Sequence, residues 1–137
     1  MSIEYQWRGA LSSQQLNELH AEAFRHKVFS NTEWDWLEQI EQHSFGWATG
    51  RNGSRLIGFV NVISDGLVHA WIQDVIVAES VRHQGVGRSL VGLAVSTLSS
   101  TSHEWLHVDF DDELRAFYVD ACGFEPTSAA LIDLTKH

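Results

Sequence analysis

The amino-acid sequence predicts one mixed domain of the α/β (α+β) class over residues 1–137, with about six strands and four helices. Three observations carry this. Strand-like apolar runs alternate along the chain with segments of helical period. Two of the strands flank Asn52-Gly53, a dipeptide suited to a tight hairpin because both residues accept positive φ. Later strands are separated by helix-length stretches, the spacing of crossover connections. With 137 residues and 44% apolar composition, the chain can bury enough surface to fold without a disulfide or a structural metal.

The elements follow in order. Ile3 to Trp7 alternates and reads as a strand. Ser12 or Ser13 can cap a helix through Phe24, with Leu16, Leu19, Ala23 and Phe24 on one face. Ser30 and Glu33 have capping-box spacing and open a second helix carrying Trp36, Leu37 and Ile40. Phe45 to Arg51 and Arg55 to Ile63 are the hairpin strands, and Ser64-Asp65-Gly66 is the next turn. Leu67 to Val77 is an apolar run with a β-branched end, read as a buried strand. Gly87 to Leu98 sets Leu90, Val91, Ala94, Val95 and Leu98 at helical spacing. Trp105 to Phe110 is rich in β-formers. Glu113 to Ala121 is a short helix ended by Gly123, and Ala129 to Leu134 is a last strand.

Nine Lys and Arg oppose eighteen Asp and Glu, a net charge of -9. Such a surface repels phosphate backbones and argues against a general nucleic-acid partner. No apolar run is long enough to span a bilayer, and the first residues lack the basic start and apolar stretch of a signal peptide. With Cys122 as the only cysteine, the expectation is a cytoplasmic protein without disulfides or membrane contact.

The most informative segment is Val77 to Ser89: a strand ends, a short loop carries Gly85 and Gly87, and a helix begins. Glycines let backbone N–H groups approach a ligand, and a helix start offers unpaired donors and partial positive charge, so the turn suits an anion. A plain tight turn would use the same glycines. The dinucleotide pattern needs a third glycine, and the nucleotide P-loop needs a Lys that is not here. The segment does fit Arg-x-x-Gly-x-Gly, as Arg82-His83-Gln84-Gly85-Val86-Gly87. About thirty residues later stands Phe117-Tyr118-Val119-Asp120-Ala121-Cys122-Gly123-Phe124. On these two motifs, and on the valine-ended strand before the first, the sequence resembles the GNAT superfamily of N-acetyltransferases, most closely from Phe45 to Phe124.

The resemblance implies a mostly antiparallel sheet that splits between the Val77 strand and the Trp105–Phe110 strand to take acetyl-CoA as co-substrate, with no metal. It implies that Arg82, His83 and the backbone of Gln84, Gly85, Val86, Gly87, Arg88 and Ser89 form the pyrophosphate loop. Val75, Ile76 and Val77 would pair with the pantetheine arm, and an N–H there would polarise the thioester carbonyl. Asp111 stands where many members have Asn, which weakens any pantetheine contact there. The implied reaction is direct acetyl transfer to a primary amine, of a small cationic molecule or of a peptide; a homodimer is also compatible.

The resemblance also makes Tyr118 the candidate acid for the departing thiolate; a phenol, with a reference pKa of ~10, carries its proton at neutral pH and can donate it, while a core aromatic would look the same in sequence. For the base, Asp74 is the first candidate and His69, through water, the second. Strand alternation puts Gln73 on the face of His69 and Trp71, and Asp74 on the other. Trp34 and Trp36, beside Glu33 and Asp35, together with Gln73, are the candidate acceptor surface, because aromatic faces beside carboxylates suit a cationic amine. The alternative is a solvated acidic helix face over core tryptophans.

Two other readings stand beside this one. A non-catalytic acyl-CoA-binding module would keep the loop without the chemistry. His103-Glu104-Trp105-Leu106-His107 matches the zinc-peptidase pattern H-E-x-x-H, which works only on a helix, and this stretch reads as a strand. Cys122 reads as a packed thiol, because direct transfer needs no acyl-enzyme.

Overall fold

Asn52 and Gly53 form the expected reversal: Gly53 takes a φ of 61° and joins β2 (Gly46–Asn52) to β3 (Arg55–Ser64). The computed structural model describes residues 2–137. Around this hairpin the sheet has the order β1-β2-β3-β4-β5, with β1 Glu4–Trp7, β4 His69–Val77 and β5 Trp105–Val108. All neighbours are antiparallel except β4 and β5, which run parallel through the crossover helix α3 (Val86–Leu98).

β3 is buried almost throughout, so its two faces take different partners. Phe59 meets Trp36 of α2 (Trp36–His43) edge-on, at 6.2 Å between ring centroids. Its neighbour Gly58 faces the opposite way, where an added Cβ would stand 2.8 Å from Leu90 of α3. α1 (Ser13–Phe24) and α2 therefore cover one face and α3 the other. The α1 start is a full capping box between Ser12 and Gln15.

Three expectations are corrected. Ser30 and Glu33 do exchange capping-box hydrogen bonds (3.0 and 3.2 Å), but they close an isolated turn. The helix starts at Trp36, because Asp35 accepts from the Glu38 N–H and holds the Ser13 hydroxyl at 2.9 Å. The Glu113–Ala121 helix is a 3-10 turn (Asp112–Leu114) followed by a π-helical turn (Ala116–Ala121), closed by Gly123 at a φ of 84°. The sheet has five strands rather than six: Ala129 to Leu134 joins no ladder, and a groove separates it from the β5 edge. Among the described residues no helix is long and apolar enough to cross a membrane.

Candidate active site

The site begins where β4 and β5 part. Their last pair is Ile72 and Val108, so Gln73 to Val77 has no strand on that side. The Ala78 N–H donates to the Ile57 carbonyl at 2.9 Å, which sets the phase of the strand. Alternate residues point their backbone groups alternate ways, so Val75 and Val77 offer theirs to the gap while Ile76 is spent on β3. Ile76 instead buries its side chain in the core.

A β-bulge stands at the mouth of this gap. Asn61 pairs with Asp74 but Val62 pairs with Ile72, which leaves Gln73 as the extra residue of β4. A bulge breaks period-two alternation. This reverses the facing expected from sequence: Asp74, not Gln73, continues the face of His69 and Trp71. Asp74 is half-buried, and burial pushes its carboxyl above the ordinary value, with the Asn61 amide pulling partly back. Asn61 is itself fully buried and accepts the Ser44 hydroxyl. Sequence gave no role to Asn61, although a lone amide inside Leu56–Ile63 was a visible signal.

At the open end of the gap the chain turns through His83 (φ 64°) and Gly85 (φ 79°) into α3. Gln84, Gly85, Val86, Gly87 and Arg88 donate their N–H groups to no backbone carbonyl. Five neighbouring free donors at a helix start, ringed by exposed residues, are the donor set a diphosphate requires. The Ser89 N–H is excluded, since it already donates to Gly85 at 3.0 Å. Arg82 is excluded as well: its guanidinium caps the Ala23 carbonyl at the end of α1. The glycine loop offers free N–H donors to an anion, and the gap offers the unpaired backbone of Val75 and Val77 to an extended ligand.

Tyr118 closes the site from the π-helical turn. Its ring stacks on Phe110 at 5.2 Å and packs edge-on against Phe117 at 4.8 Å and Phe124 at 5.9 Å. Among the described residues its hydroxyl is joined to no hydrogen-bond partner. No fully enclosed side-chain oxygen among the described residues lacks one, so this hydroxyl keeps a path to solvent. Burial first, then Cys122 and Asp74, push the phenol up to about 12. The Asp74 charge thus reaches Tyr118 across the site. Burial also raises the Cys122 thiol, against a smaller pull from Arg88, which suits a packed thiol rather than a nucleophile. Asp111 is exposed just after β5, where its carbonyl accepts from Leu114 at 2.8 Å.

Other candidates lie elsewhere. His69 starts β4, so by strand rise it stands roughly 16 Å from Asp74. It is engaged with His107 at 2.8 Å, and Trp71 stacks on the same His107 at 5.0 Å. Trp36 cannot line a pocket: it is 4% exposed and its indole N–H donates to Asn17. Trp34 is exposed on the α1–α2 connection, 5.7 Å from the Trp36 ring. The H-E-x-x-H residues do not converge. His107 lies on β5 against His69, while His103 precedes it and bonds Ser64 and Thr101, both at 2.7 Å.

Comparison with known proteins agrees with this fold. Three solved structures share the fold at TM-scores of 0.78, 0.78 and 0.72. The first is a probable acetyltransferase from meticillin-resistant Staphylococcus aureus, 19% identical, with 96% of this chain and 98% of that one covered. The second is a Trypanosoma brucei acetyltransferase, 17% identical, with 97% and 100% covered. The third is an aminoglycoside acetyltransferase from an uncultured soil metagenomic sample, 17% identical, with 96% of each covered. Among curated proteins no relative matches the sequence. The sequence model of the Acetyltransferase (GNAT) family matches residues 13–124, from the first helix to the phenylalanine that packs on Tyr118. The chain therefore belongs to the GNAT family of acetyltransferases.

Proposed function

We propose that this protein transfers an acetyl group from acetyl-CoA to a primary amine, by direct attack with both substrates bound. The observation that carries the reading is the row of free N–H groups from Gln84 to Arg88, set at the open end of the gap between β4 and β5. Acetyl-CoA supplies the chemistry of an activated acyl thioester. The chain's own residues do the rest. Gln84 to Arg88 hold the diphosphate, and Val75 and Val77 align the arm by strand-like hydrogen bonds. The free Val75 N–H would donate to the thioester carbonyl and favour the charge that develops on its oxygen.

Asp74 takes the amine proton. Its raised pKa brings it closer to neutrality than an ordinary carboxylate, the direction a base needs. Tyr118 gives a proton to the leaving sulfur. With a pKa of about 12 it is protonated at neutral pH, so its O–H is in place to hydrogen-bond the sulfur as charge builds there. Gln73, thrust out by the bulge, and exposed Trp34 are the residues offered to the acceptor. A net charge of -9 favours a cationic acceptor, a small amine or a peptide amine. The test is a thiol-release assay with acetyl-CoA against a panel of polyamines, aminoglycosides, amino acids and peptides. Turnover with at least one cationic amine is expected; release from none of them would refute the reading.

A further inference from the structure

Three rings form a platform across β4 and β5. Trp71 stacks on His107 at 5.0 Å between centroids and 19° between planes, and His69 lies 6.0 Å from Trp71 at 27°. The 2.8 Å bond between His69 Nδ1 and His107 Nε2 fixes both imidazoles. Trp71 is nonetheless 37% exposed. A large ring held in place by its neighbours and left open to solvent is a surface on which another ring can stack.

The platform leads to the groups that handle protons. Trp71 and His107 line a groove of about 580 Å³ along β5. Phe110 and Phe124, which pack on the Tyr118 ring at 5.2 and 5.9 Å, line it too. The bulge turns Asp74 onto the Trp71 face, and with one residue looped out the strand advances only about 7 Å between them. A short alkyl chain spans such a distance.

The charge of the groove selects a cation. Asp109, Asp112, Arg115 and Glu125 are its charged lining. Arg115 is engaged with Asp112 at 3.4 Å, and its guanidinium lies over Phe110 at 5.8 Å. Asp109 and Glu125 form no ion pair among the described residues. Two uncompensated carboxylates in a groove with four aromatic rings suit a cation that carries a ring of its own, rather than a bare polycation.

We propose that the acceptor is an arylalkylamine, a primary amine joined through a short alkyl chain to an aromatic ring, and that Trp71 selects for the ring. This rests on the reading of the protein as an amine acetyltransferase. The ring lies on Trp71, and the amine reaches Asp74 at the gap between β4 and β5. His107 does not touch the substrate; it holds the Trp71 ring.

Steady-state kinetics with phenethylamine, its saturated counterpart cyclohexylethylamine, and putrescine separates the ring from bulk and from charge. For the native protein kcat/KM should be about 2–10-fold higher for phenethylamine than for cyclohexylethylamine, the range of an aromatic pair, and higher still than for putrescine. Calorimetric Kd values of the two ring amines should keep that ratio. Trp71→Leu should bring it to about one, and Trp71→Phe should restore it. A ratio of two kcat/KM values within one protein is indifferent to how much of that protein is folded. Putrescine turned over as well as phenethylamine, equal values for the two ring amines in the native protein, or a preference that survives Trp71→Leu would each overturn the inference and leave the acetyltransferase reading standing. Turnover of no amine at all would refute that reading and this inference together.

Discussion

Gly87 and Phe117 touch across the join between α3 and the π-helical turn: a Cβ at Gly87 would stand 3.0 Å from Phe117 Cζ and 3.7 Å from Val77 Cγ2. The glycine loop, the end of β4 and the segment carrying Tyr118 are thus packed as one unit. Gly85, two residues earlier, serves differently. Nothing lies within 4 Å of its absent side chain, but its φ of 79° is left-handed. One glycine is there for space and the other for backbone conformation.

Gly87→Ala should therefore act on function more than on stability. Alanine gains about 0.5–1 kcal/mol over glycine in a helix. Displacing the Phe117 ring by a few tenths of an ångström costs a similar amount. Melting temperature should change little. The KM for acetyl-CoA should rise and kcat should fall, because the ring carries Tyr118 with it. Steady-state kinetics beside a thermal melt would show the split; an equal loss of both with an unfolded spectrum would contradict it.

Gly85→Ala should show the opposite balance. There is room for the methyl group, so the cost is conformational, about 1–2 kcal/mol for holding an L-residue left-handed. Gly85→Asn should cost less, because Asn tolerates that region. Chemical denaturation of the three proteins gives the order Gly85, Asn, Ala. Affinity for coenzyme A should follow the same order, since the turn that aims the free N–H groups is what loosens.

How much of this was legible in the sequence varies with the range of the interactions. The glycine loop, the Asn52-Gly53 hairpin and the order of β2 to α3 are written in short-range rules of φ and periodicity, and those hold. The gap is legible only through the resemblance, because parallel pairing that stops at Ile72 and Val108 is a long-range fact. The bulge at Gln73 is invisible: nothing local marks one extra residue, yet it decides which of Gln73 and Asp74 faces the site. Trp36 misleads because an aromatic beside carboxylates reads alike on a surface and in a core; its hydrogen bond to Asn17 identifies the core. Ala129 to Leu134 has strand composition, but a strand exists only where a partner does.

Asp74→Asn should make the protein more stable and less active. The folded state raises the pKa of this carboxyl, so the unfolded chain gives up the proton first as pH rises. Above both values, ionised Asp74 opposes folding, and the neutral amide removes that penalty. Below the ordinary value of 3.8 the carboxyl is protonated in both states and the advantage disappears. Melts at neutral pH and near pH 3 should show a gain in the first and none in the second. A gain that persists in acid would mean that Asn packs better for another reason. The rate should fall at neutral pH by about 10²–10⁴-fold if Asp74 is the base.

Tyr118→Phe isolates one oxygen. Among the described residues the hydroxyl is joined to no hydrogen-bond partner, so its removal breaks no internal hydrogen bond, and the ring keeps its stack on Phe110. Stability and affinity for coenzyme A should stay close to native. The rate should fall by about 10²–10⁴-fold, the range for loss of a positioned general acid. The loss should be the same across the neutral range. A group at about 12 does not titrate there, so neither limb of the pH–rate profile belongs to it. In strong alkali the wild type should lose stability that the variant keeps. Unfolded tyrosine ionises near its ordinary 10.0 and folded Tyr118 only near 12, so stability falls between the two. If Tyr118→Phe turns over at the native rate, the sulfur takes its proton from elsewhere and Tyr118 is a packing residue. If it loses rate together with coenzyme A affinity, its role is to hold the arm rather than to supply the proton.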